Sequence, residues 1–364
     1  MGMSKGHDPG TIARQFQVDG NLVSVTPYGT GHINYTYCAV FRTADSETRV
    51  ILQHINENIF KNPPAMMENI QRVSAHLSSK AASDEDRARR VLSVVPACDG
   101  RAWHRDDEGN YWRMYRFIGN ARTVDAIESA EQAFQAARAF GRFQHLLADL
   151  PSPRLHDTIP DFHHTPKRLK ALEEAIEQDA AGRVAASRPE IEFVMARREI
   201  AGALLGAGLP ERVTHNDTKI NNVMLDDQTG EGICVIDLDT VMPGLSLYDF
   251  GDMVRTATSP AAEDERNLSK VNLQFPMFEA LVRGYLDAAG GFLTKEEKRL
   301  LVTAGKVITF EQAVRFLADH LNGDTYYKVH REGHNLDRTR TQLKLIERIE
   351  AQEERMERLV ESMG

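Results

Sequence analysis

The sequence predicts an α+β protein with two lobes, a small sheet-rich N-terminal lobe and a larger helical C-terminal lobe. In the first third of its 364 residues, short β-branched runs alternate with turns that contain Gly or Pro. Beyond about residue 120, apolar residues recur at i, i+3 and i+4 spacing, which is typical of amphipathic helices. A chain of this length, with 41% hydrophobic residues, can give each lobe its own core. We place the boundary between residues 1–118 and residues 119–364.

The N-terminal lobe is predicted to contain about five strands and one long helix. Residues 21–41 fit two strands around the Gly-containing turn "YGTGHIN". The runs "RVILQHI" (49–55), "VLSVVPA" (91–97) and "YWRMYRFI" (111–118) fit three further strands. Residues 63–80 begin with two prolines and then place apolar residues at helical spacing, which predicts a helix.

The C-terminal lobe is predicted to be mainly helical. Residues 129–150 and 306–321 carry apolar residues at helical spacing. The tail, residues 339–362, fits one long charged helix whose apolar side covers the core. A polar segment, residues 213–244, interrupts this helical pattern.

The composition excludes several classes of protein. A net charge of −9 argues against a general nucleic-acid binder, which would carry a basic surface. The three cysteines are few and far apart, so we expect no disulfide framework and a reducing compartment. No run approaches the ~18 apolar residues of a membrane helix, and no secretory signal is visible. We therefore expect a cytoplasmic protein with no evident nucleic-acid, membrane or protein partner.

The polar segment combines acids and amides at a spacing that suggests a site. His215, Asn216 and Asp217 follow one apolar run, Asn222 lies five residues after Asp217, and Asp237 ends the run "ICVI". A turn-rich "DDQTGEG" joins the two runs, so a hairpin would bring Asn222 and Asp237 together. Mg²⁺ usually takes one or two protein oxygens, which these two residues could supply, while Asp217 could orient a hydroxyl and accept its proton. This arrangement is typical of kinase-type phosphoryl transfer.

Simpler interpretations compete for the single residues. Any one of these polar residues could merely form a turn, but the spacing of the set argues against that for all of them. Asp239 is a secondary metal candidate, since it would share a face with Asp237 if the strand continued. Asp249-Phe250-Gly251 spells a kinase metal motif but follows a Pro-Gly turn. We predict that Asp249 is the structural N-cap of a helix beginning near Gly251.

These motifs carry a resemblance to a known family. "THNDTKINN" and "VIDLDTVMPG" resemble the aminoglycoside phosphotransferase-like small-molecule kinases, a branch of the protein-kinase-like fold that includes choline and homoserine kinases. "YGTGHINYTY", "ILQHINENIF", "DFGDMVR" and "RFLADHLNGDTYY" are most similar to the branch that phosphorylates the anomeric hydroxyl of N-acetylhexosamines. The resemblance implies a nucleotide-binding N-terminal lobe, a catalytic and substrate-binding C-terminal lobe, ATP and Mg²⁺ as cofactors, and a small sugar as partner.

The resemblance also implies a role for each matching position. The catalytic pair would be Asp217 and Lys219, and the Mg²⁺ ligands would be Asn222 and Asp237. The expected nucleotide contacts, a glycine turn and a hinge strand, are Gly29, Thr30, Gly31, Arg116, Phe117 and Ile118. The expected substrate contacts are His32, Asn34, Arg315 and Tyr326.

Each of these positions also has an ordinary alternative. The Gly-x-Gly turn is common in hairpins, His32 could be a turn residue, Lys219 could be solvated and Tyr326 could be a packing residue. Arg315 lies four residues from both Glu311 and Asp319, so ion pairs on a helix surface would explain it.

One position departs from the broad kinase pattern. Gln53 stands where most kinase-like enzymes carry a phosphate-binding Lys, and Glu68 in the next helix then lacks its usual partner. Lys219 or Arg49 could supply the charge.

The sequence therefore leaves several functions open. A kinase acting on another hexose, choline, homoserine or an aminoglycoside is possible, as is a kinase-like module that binds nucleotide without transfer. A zinc enzyme built on His330 and His334 is a weaker option, because no third ligand is evident. The acceptor, the oligomeric state and the extent of lobe closure stay undetermined.

Overall fold

The N-terminal part of the chain forms one antiparallel sheet and three helices. The computed structural model describes residues 8–29 and 33–363. Six strands pair in the order β1-β2-β3-β6-β4, with β5 also pairing β6. These strands are β1 Asn21–Pro27, β2 Tyr35–Arg42, β3 Glu47–His54, β4 Val94–Val95, β5 His104–Arg105 and β6 Tyr111–Arg116. The helices are α1 Pro9–Ala13, α2 Pro63–Ser79 and α3 Asp84–Arg90.

The C-terminal part is mostly helical and carries two small sheets, so the predicted α+β class is confirmed. One sheet has the order β10-β9-β7 and the other pairs β11 with β8. Their strands are β7 Ala121–Arg122, β8 Arg212–Thr214, β9 Val223–Asp226, β10 Gly232–Val235 and β11 Met242–Gly244. The helices are α4 Ala130–Leu147, α5 Thr165–Gln178, α6 Arg188–Met195, α7 Ser246–Ala257, α8 Phe275–Ala289, α9 Lys295–Arg299, α10 Leu301–Leu321, α11 His334–Glu350 and α12 Glu353–Met363.

The chain passes between the two parts immediately after β6. Arg116 is the last residue of the six-stranded sheet, and β7 already pairs with β9 of the C-terminal part. We keep residues 118 and 119 as the proposed boundary. In the described ranges, none of the helices combines the length and the apolar character needed to cross a membrane.

Most of the predicted elements are present, with two corrections. The predicted helix over 63–80 is α2, and Asn62 caps it by accepting a hydrogen bond from Ala65 N at 3.2 Å. The strand predicted over 91–97 shrinks to two residues in front of Pro96, which lacks a backbone N–H to donate. The predicted single tail helix is wrong, since it breaks between α11 and α12. Gln352, at the break, donates to the Leu273 carbonyl at 2.9 Å and ties the tail to the segment before α8.

Close helix packing supports the loops of the site. A Cβ at Gly284 of α8 would lie 2.2 Å from the carbonyl oxygen of Phe134 in α4, so only glycine allows this approach. A Cβ at Gly251 of α7 would similarly lie 2.4 Å from the carbonyl oxygen of Ala304 in α10. These contacts pack α8 against α4 and α7 against α10, and α7 in turn carries the acids that bind the loop after β8.

Candidate functional site

The loop after β8 is held in place by buried carboxylates of α7. Asp249 accepts hydrogen bonds from the backbone N–H of His215 at 2.9 Å and of Asn216 at 2.7 Å. Asp252, one turn later, accepts from Thr218 N at 2.9 Å. Asp249 lies inside the first turn of α7, whose N-cap is Leu245, so the predicted N-cap role is wrong. Asp249 has a different structural role, because its carboxylate accepts hydrogen bonds from backbone N–H groups of the loop that carries Asp217.

A histidine joins this loop to the hairpin. His215 Nε2 donates to the carbonyl oxygen of Ile236 at 2.9 Å, and its ring packs edge-on against Phe140 and Phe143. Ile236 N in turn donates to the carbonyl oxygen of Asn222 at 2.9 Å. The predicted hairpin is present, since β9 and β10 pair antiparallel. It brings the segments of Asp217, Asn222 and Asp237 together.

Asp217 is surrounded by two donors that fix its carboxylate. Lys219 Nζ lies 3.1 Å from Asp217 Oδ1, and Asn222 Nδ2 lies 3.3 Å from Asp217 Oδ2 and 2.8 Å from its carbonyl oxygen. The nearby Asp217 carboxylate raises the pKa of Lys219 and outweighs the burial of the ammonium, which lowers it, so the ammonium stays charged. Asp217 is partly exposed, which leaves its carboxylate open to a hydroxyl substrate.

Asp237 has the opposite environment. It adopts a left-handed backbone conformation with φ of 60°, and its carboxylate has no hydrogen bond or ion pair with any residue in the described ranges. Burial, together with the nearby carboxylates of Asp239 and Asp217, raises the pKa of Asp237 to about 6. A cation bound here would relieve this repulsion.

The residues around Asp237 fit Mg²⁺. The Asn222 amide nitrogen is turned to Asp217, and no described residue donates to its Oδ1. One amide oxygen and one carboxylate match the small protein share of a Mg²⁺ shell completed by phosphates and water. In contrast, no three His, Cys, Asp or Glu side chains of the described ranges are arranged as a metal site, so the zinc alternative gains no ligand set.

The predicted role of Asp239 as a secondary metal ligand does not fit its surroundings. The strand ends at Val235 and Leu238–Thr240 form a 3₁₀ turn, so Asp239 is not the next same-face residue of a strand. Its carboxylate instead pairs with Arg113 of β6, and both side chains are almost fully buried. Asn34 Nδ2 donates to its second oxygen at 2.8 Å. Asp239 is thus occupied by protein donors rather than free for a metal.

Position 53 has an arginine beside it. Gln53 of β3 lies directly opposite Arg113 of β6, and Arg113 Nε donates to Gln53 Oε1 at 2.9 Å. Lys219 pairs with Asp217, whereas Arg49 stacks on the Phe117 ring at 3.7 Å. Neither of the two expected cations therefore contacts Gln53. Glu68 pairs with His156 at 3.0 Å.

The expected nucleotide contacts that the structure describes lie just after β1 and at the end of β6. Gly29 has a φ of +77°, which favours glycine, and Thr30 and Gly31 lie outside the described residues. The Phe117 ring lies edge-on to Tyr28, 5.9 Å away, and Ile118 is buried. Arg116 N donates to the carbonyl of Ser93 at 2.9 Å. This segment is the link to the C-terminal part, as expected of a hinge.

The expected substrate contacts fall in two places. Arg315 lies over the rings of Phe162 and Tyr327, at 5.3 Å and 5.7 Å, beside Tyr326, which is 64% exposed. Asn34 lies far from them in sequence, next to Asp239, and His32 lies outside the described residues.

The helix-surface explanation of Arg315 is wrong. Glu311 binds His163 at 2.8 Å and accepts from Thr165 Oγ1 at 2.7 Å. Asp319 accepts from three successive backbone N–H groups of residues 325–327. Arg315 therefore keeps aromatic neighbours rather than an ion pair within the described ranges.

The sequence analysis missed three residues that organise this site: Arg113, His163 and Asp252. His163 donates to the carbonyl oxygen of Asn216 at 3.1 Å and so connects the catalytic loop with Glu311 of α10. A signal for Arg113 existed, since it is a charged residue within the apolar and aromatic run of the strand "YWRMYRFI". Nothing in the local pattern of His163 or Asp252 indicated their partners.

The fold and site define a two-lobed, kinase-like phosphotransferase. Residues 24–296 match the phosphotransferase enzyme family called APH, and the chain belongs to this family of small-molecule kinases. Enzymes of the family use ATP with Mg²⁺. The protein-kinase-like fold implied by the resemblance is thereby confirmed.

Solved structures with the same fold cover almost the whole chain. An aminoglycoside phosphotransferase from Alicyclobacillus acidocaldarius aligns with a TM-score of 0.63 at 11% identity, over 99% of this chain and 98% of its own. A microcompartment-associated aminopropanol kinase aligns with a TM-score of 0.60 at 19% identity, over 96% and 97%. A spectinomycin phosphotransferase, crystallised with ADP and spectinomycin, aligns with a TM-score of 0.57 at 11% identity, over 93% and 96%. At identities this low, the likeness shows a shared fold and nothing beyond it.

Proposed function

We propose that this kinase transfers the γ-phosphoryl group of ATP to the anomeric hydroxyl of an N-acetylhexosamine. The observation that carries the proposal is the arrangement of two acids on either side of Asn222. Asp217 is held by Lys219 and the Asn222 amide, while Asp237 has no protein partner in the described ranges. Asp217 would therefore face the acceptor hydroxyl, and Asp237 would bind the cation.

Asp217 would act on the acceptor. Its carboxylate orients the attacking hydroxyl and accepts its proton as the bond to phosphorus forms. The Lys219 ammonium, 3.1 Å from Asp217, lies where it can meet a phosphoryl oxygen as charge develops there. Mg²⁺, held by Asn222 and Asp237, would neutralise the phosphates of ATP. The remaining contribution of the chain is positioning of the reactants.

The charge of the acceptor region argues against a cationic acceptor. Arg315 lies close enough to Arg168 of α5 that burial and the Arg315 charge both lower the pKa of Arg168. Neither arginine forms an ion pair with a carboxylate in the described ranges. An aminoglycoside, choline or an amino alcohol would bring positive charge close to two guanidinium groups that share the field of one carboxylate, Glu311. A neutral sugar would instead stack on the aromatic rings and accept hydrogen bonds from arginine.

His163 places this region next to the catalytic loop. It bridges the Asn216 carbonyl and Glu311, which lies one helical turn before Arg315. The resemblance of "YGTGHINYTY" and "RFLADHLNGDTYY" to the N-acetylhexosamine branch supports the choice among neutral sugars. We also propose a cytoplasmic location, which the three free cysteines support.

The test is ADP formation from ATP and Mg²⁺ against a panel of acceptors. The panel holds N-acetylglucosamine, N-acetylgalactosamine, glucose, galactose, choline, homoserine and kanamycin. We expect turnover with the N-acetylhexosamines and a loss of roughly 10²–10⁴-fold in Asp217→Asn, with ATP binding retained. Turnover confined to an amine would refute the acceptor assignment.

A second function, nucleotide binding without transfer, is favoured by one observation. Gln53 occupies the position of the usual phosphate-binding Lys. That function would be supported if ATP bound normally and no acceptor on the panel were phosphorylated.

A further inference from the structure

A fully buried arginine lies at the back of the cleft. Arg113, in β6, has no solvent exposure, and its side chain extends from the sheet towards the 3₁₀ turn after Asp237. Its Nε donates to Gln53 Oε1 at 2.9 Å, and its Nη1 donates to Asp239. The amide of Gln53 is itself fixed, since its Nε2 donates to Thr36 Oγ1 at 3.0 Å. The guanidinium is therefore held in one orientation.

Asp239 receives donors from two parts of the N-terminal lobe. Besides Arg113, Asn34 Nδ2 donates to it at 2.8 Å, and Asn34 Oδ1 accepts from Asn56 N at 3.0 Å. Asp239 belongs to the C-terminal lobe and lies two residues after Asp237. The hydrogen-bonded series Gln53–Arg113–Asp239–Asn34 thus crosses between the lobes, next to Asp237, the proposed metal ligand.

The charges around Asp237 pair in a definite pattern. Asp217 has Lys219, and Asp239 has Arg113, whereas Asp237 has no partner in the described ranges. Without Arg113, three neighbouring carboxylates would share one ammonium group.

Stability alone is a weak reason for this ion pair. A buried pair loses its hydration, and replacing both partners by apolar residues is often neutral or stabilising. An ion pair placed two residues from a metal ligand has a clearer use, because groups that orient metal ligands commonly change metal affinity by ~10–100-fold.

We propose that Arg113 is a positioning residue for Mg²⁺-nucleotide, supplying from β6 the positive charge that residue 53 lacks and holding, through Asp239, the 3₁₀ turn that begins directly after Asp237. The proposal rests on the proposed function only in that the cleft binds Mg²⁺-nucleotide. It requires no particular acceptor.

The register of the sheet provides a direct test. Gln53 and Arg113 are opposite one another in neighbouring strands, so the two side chains can be exchanged without changing the composition. We would compare Arg113→Gln with the exchange variant Gln53→Arg/Arg113→Gln. Binding of ADP is measured by calorimetry with and without Mg²⁺, and KM is measured separately for ATP and for the acceptor. Arg42→Met, an exposed arginine of the same sheet paired with Glu47, is the matched control.

We expect Arg113→Gln to weaken Mg²⁺-ADP binding by at least about 10-fold and metal-free ADP binding by much less. The KM for ATP should rise while the acceptor KM stays unchanged. The exchange variant should recover most of the lost Mg²⁺-ADP affinity, and Arg42→Met should bind like the wild type.

A folding defect is separated by a second variant. Arg113→Gln leaves Asp239 as an unpaired buried charge, so Arg113→Gln/Asp239→Asn removes both charges and should regain thermal stability. If this double variant binds Mg²⁺-ADP within about two-fold of the wild type, the pair is structural and the proposal fails. A wild-type protein that binds Mg²⁺-ADP but phosphorylates no acceptor would overturn the proposed function and leave this test decisive for Arg113.

Discussion

The surroundings of Asp249 and Asp237 are built on opposite principles. Burial raises the pKa of both carboxylates. Asp249 accepts hydrogen bonds from His215 N, Asn216 N and Gln144 Nε2, whereas Asp237 accepts none within the described ranges. Asp249, fully buried and surrounded by donors, supports the fold, whereas Asp237, partly buried and without such donors, leaves its carboxylate available for a ligand. The difference separates a structural carboxylate from a functional one when both lie near one loop.

The largest expected effect on stability is at Asp249. Asp249→Ala would leave two buried backbone N–H groups without acceptors, and we expect a loss of about 3 kcal/mol in the free energy of unfolding. Urea denaturation measures this loss. Asp249→Asn keeps one acceptor oxygen and should be milder. A loss below about 1 kcal/mol for the alanine variant would contradict the structural role.

Asp237→Asn should raise the free energy of unfolding, whereas Asp249→Ala should lower it. The pKa of Asp237 is raised from 3.8 to about 6, so its charged form destabilises the metal-free fold. This destabilisation is absent below pH 4 and grows as pH rises through about 6. Without Mg²⁺ at pH 7.5, Asp237→Asn should therefore be more stable than the wild type by on the order of 2 kcal/mol, while Mg²⁺-dependent turnover is lost.

The control for Asp237 is the pH dependence itself. Urea denaturation of both proteins at pH 5 and pH 7.5, in chelator, should show the advantage of Asp237→Asn shrinking at the lower pH. An asparagine variant less stable than the wild type at pH 7.5 would place Asp237 in the same class as Asp249.

His163 provides a smaller test of the same comparison. Like Asp249, this buried side chain is fully hydrogen-bonded, and like Asp237, it has a raised pKa. Each of its ring nitrogens faces an oxygen acceptor, Glu311 Oε1 and the Asn216 carbonyl, so both must carry a proton. Burial lowers the pKa of His163, but the Glu311 carboxylate outweighs it and raises the pKa overall. Its contribution to stability is present below pH 6.5 and is lost as pH rises through the raised value.

His163→Gln should therefore remove a pH dependence rather than activity outright. We expect a loss of about 1–2 kcal/mol at pH 6 and a smaller difference from the wild type at pH 9, measured by urea denaturation. An equal loss at both pH values would show that the ring does not titrate between pH 6 and pH 9.

The smallest expected effect is at Tyr326, on the exposed side of the site. Tyr326→Ala should raise the acceptor KM about 10-fold and leave the ATP KM and thermal stability unchanged, because the side chain is 64% exposed. Steady-state kinetics with each substrate varied in turn checks this split. A change in the ATP KM would place Tyr326 outside the acceptor region.

Local patterns predicted the elements that depend on local chemistry. The strands on either side of "YGTGHIN", the α2 helix and the β9–β10 hairpin follow from periodicity and turn residues. The grouping of Asp217, Asn222 and Asp237 follows from that hairpin. The break after Glu350 depends instead on contacts with the segment around residue 273, which a helical pattern does not reveal.

Partners distant in sequence explain the remaining misses. Asp239 appeared to continue a strand, but its orientation is set by Arg113, 126 residues away. Asp249 appeared to be a helix cap, but its acceptor oxygens serve His215 and Asn216, more than 30 residues earlier. An isolated acid or base gives no sign of such a partner, because its local sequence is equally compatible with exposure to water.

The ion pair between Arg113 and Asp239 also constrains how the cleft can open. Pulling the two lobes apart at this depth would require the buried Arg113 guanidinium and Asp239 carboxylate to separate and to be hydrated one by one. The pair therefore joins the two lobes at one buried point, and we expect any opening of the cleft to be smaller there than at more exposed parts of the cleft.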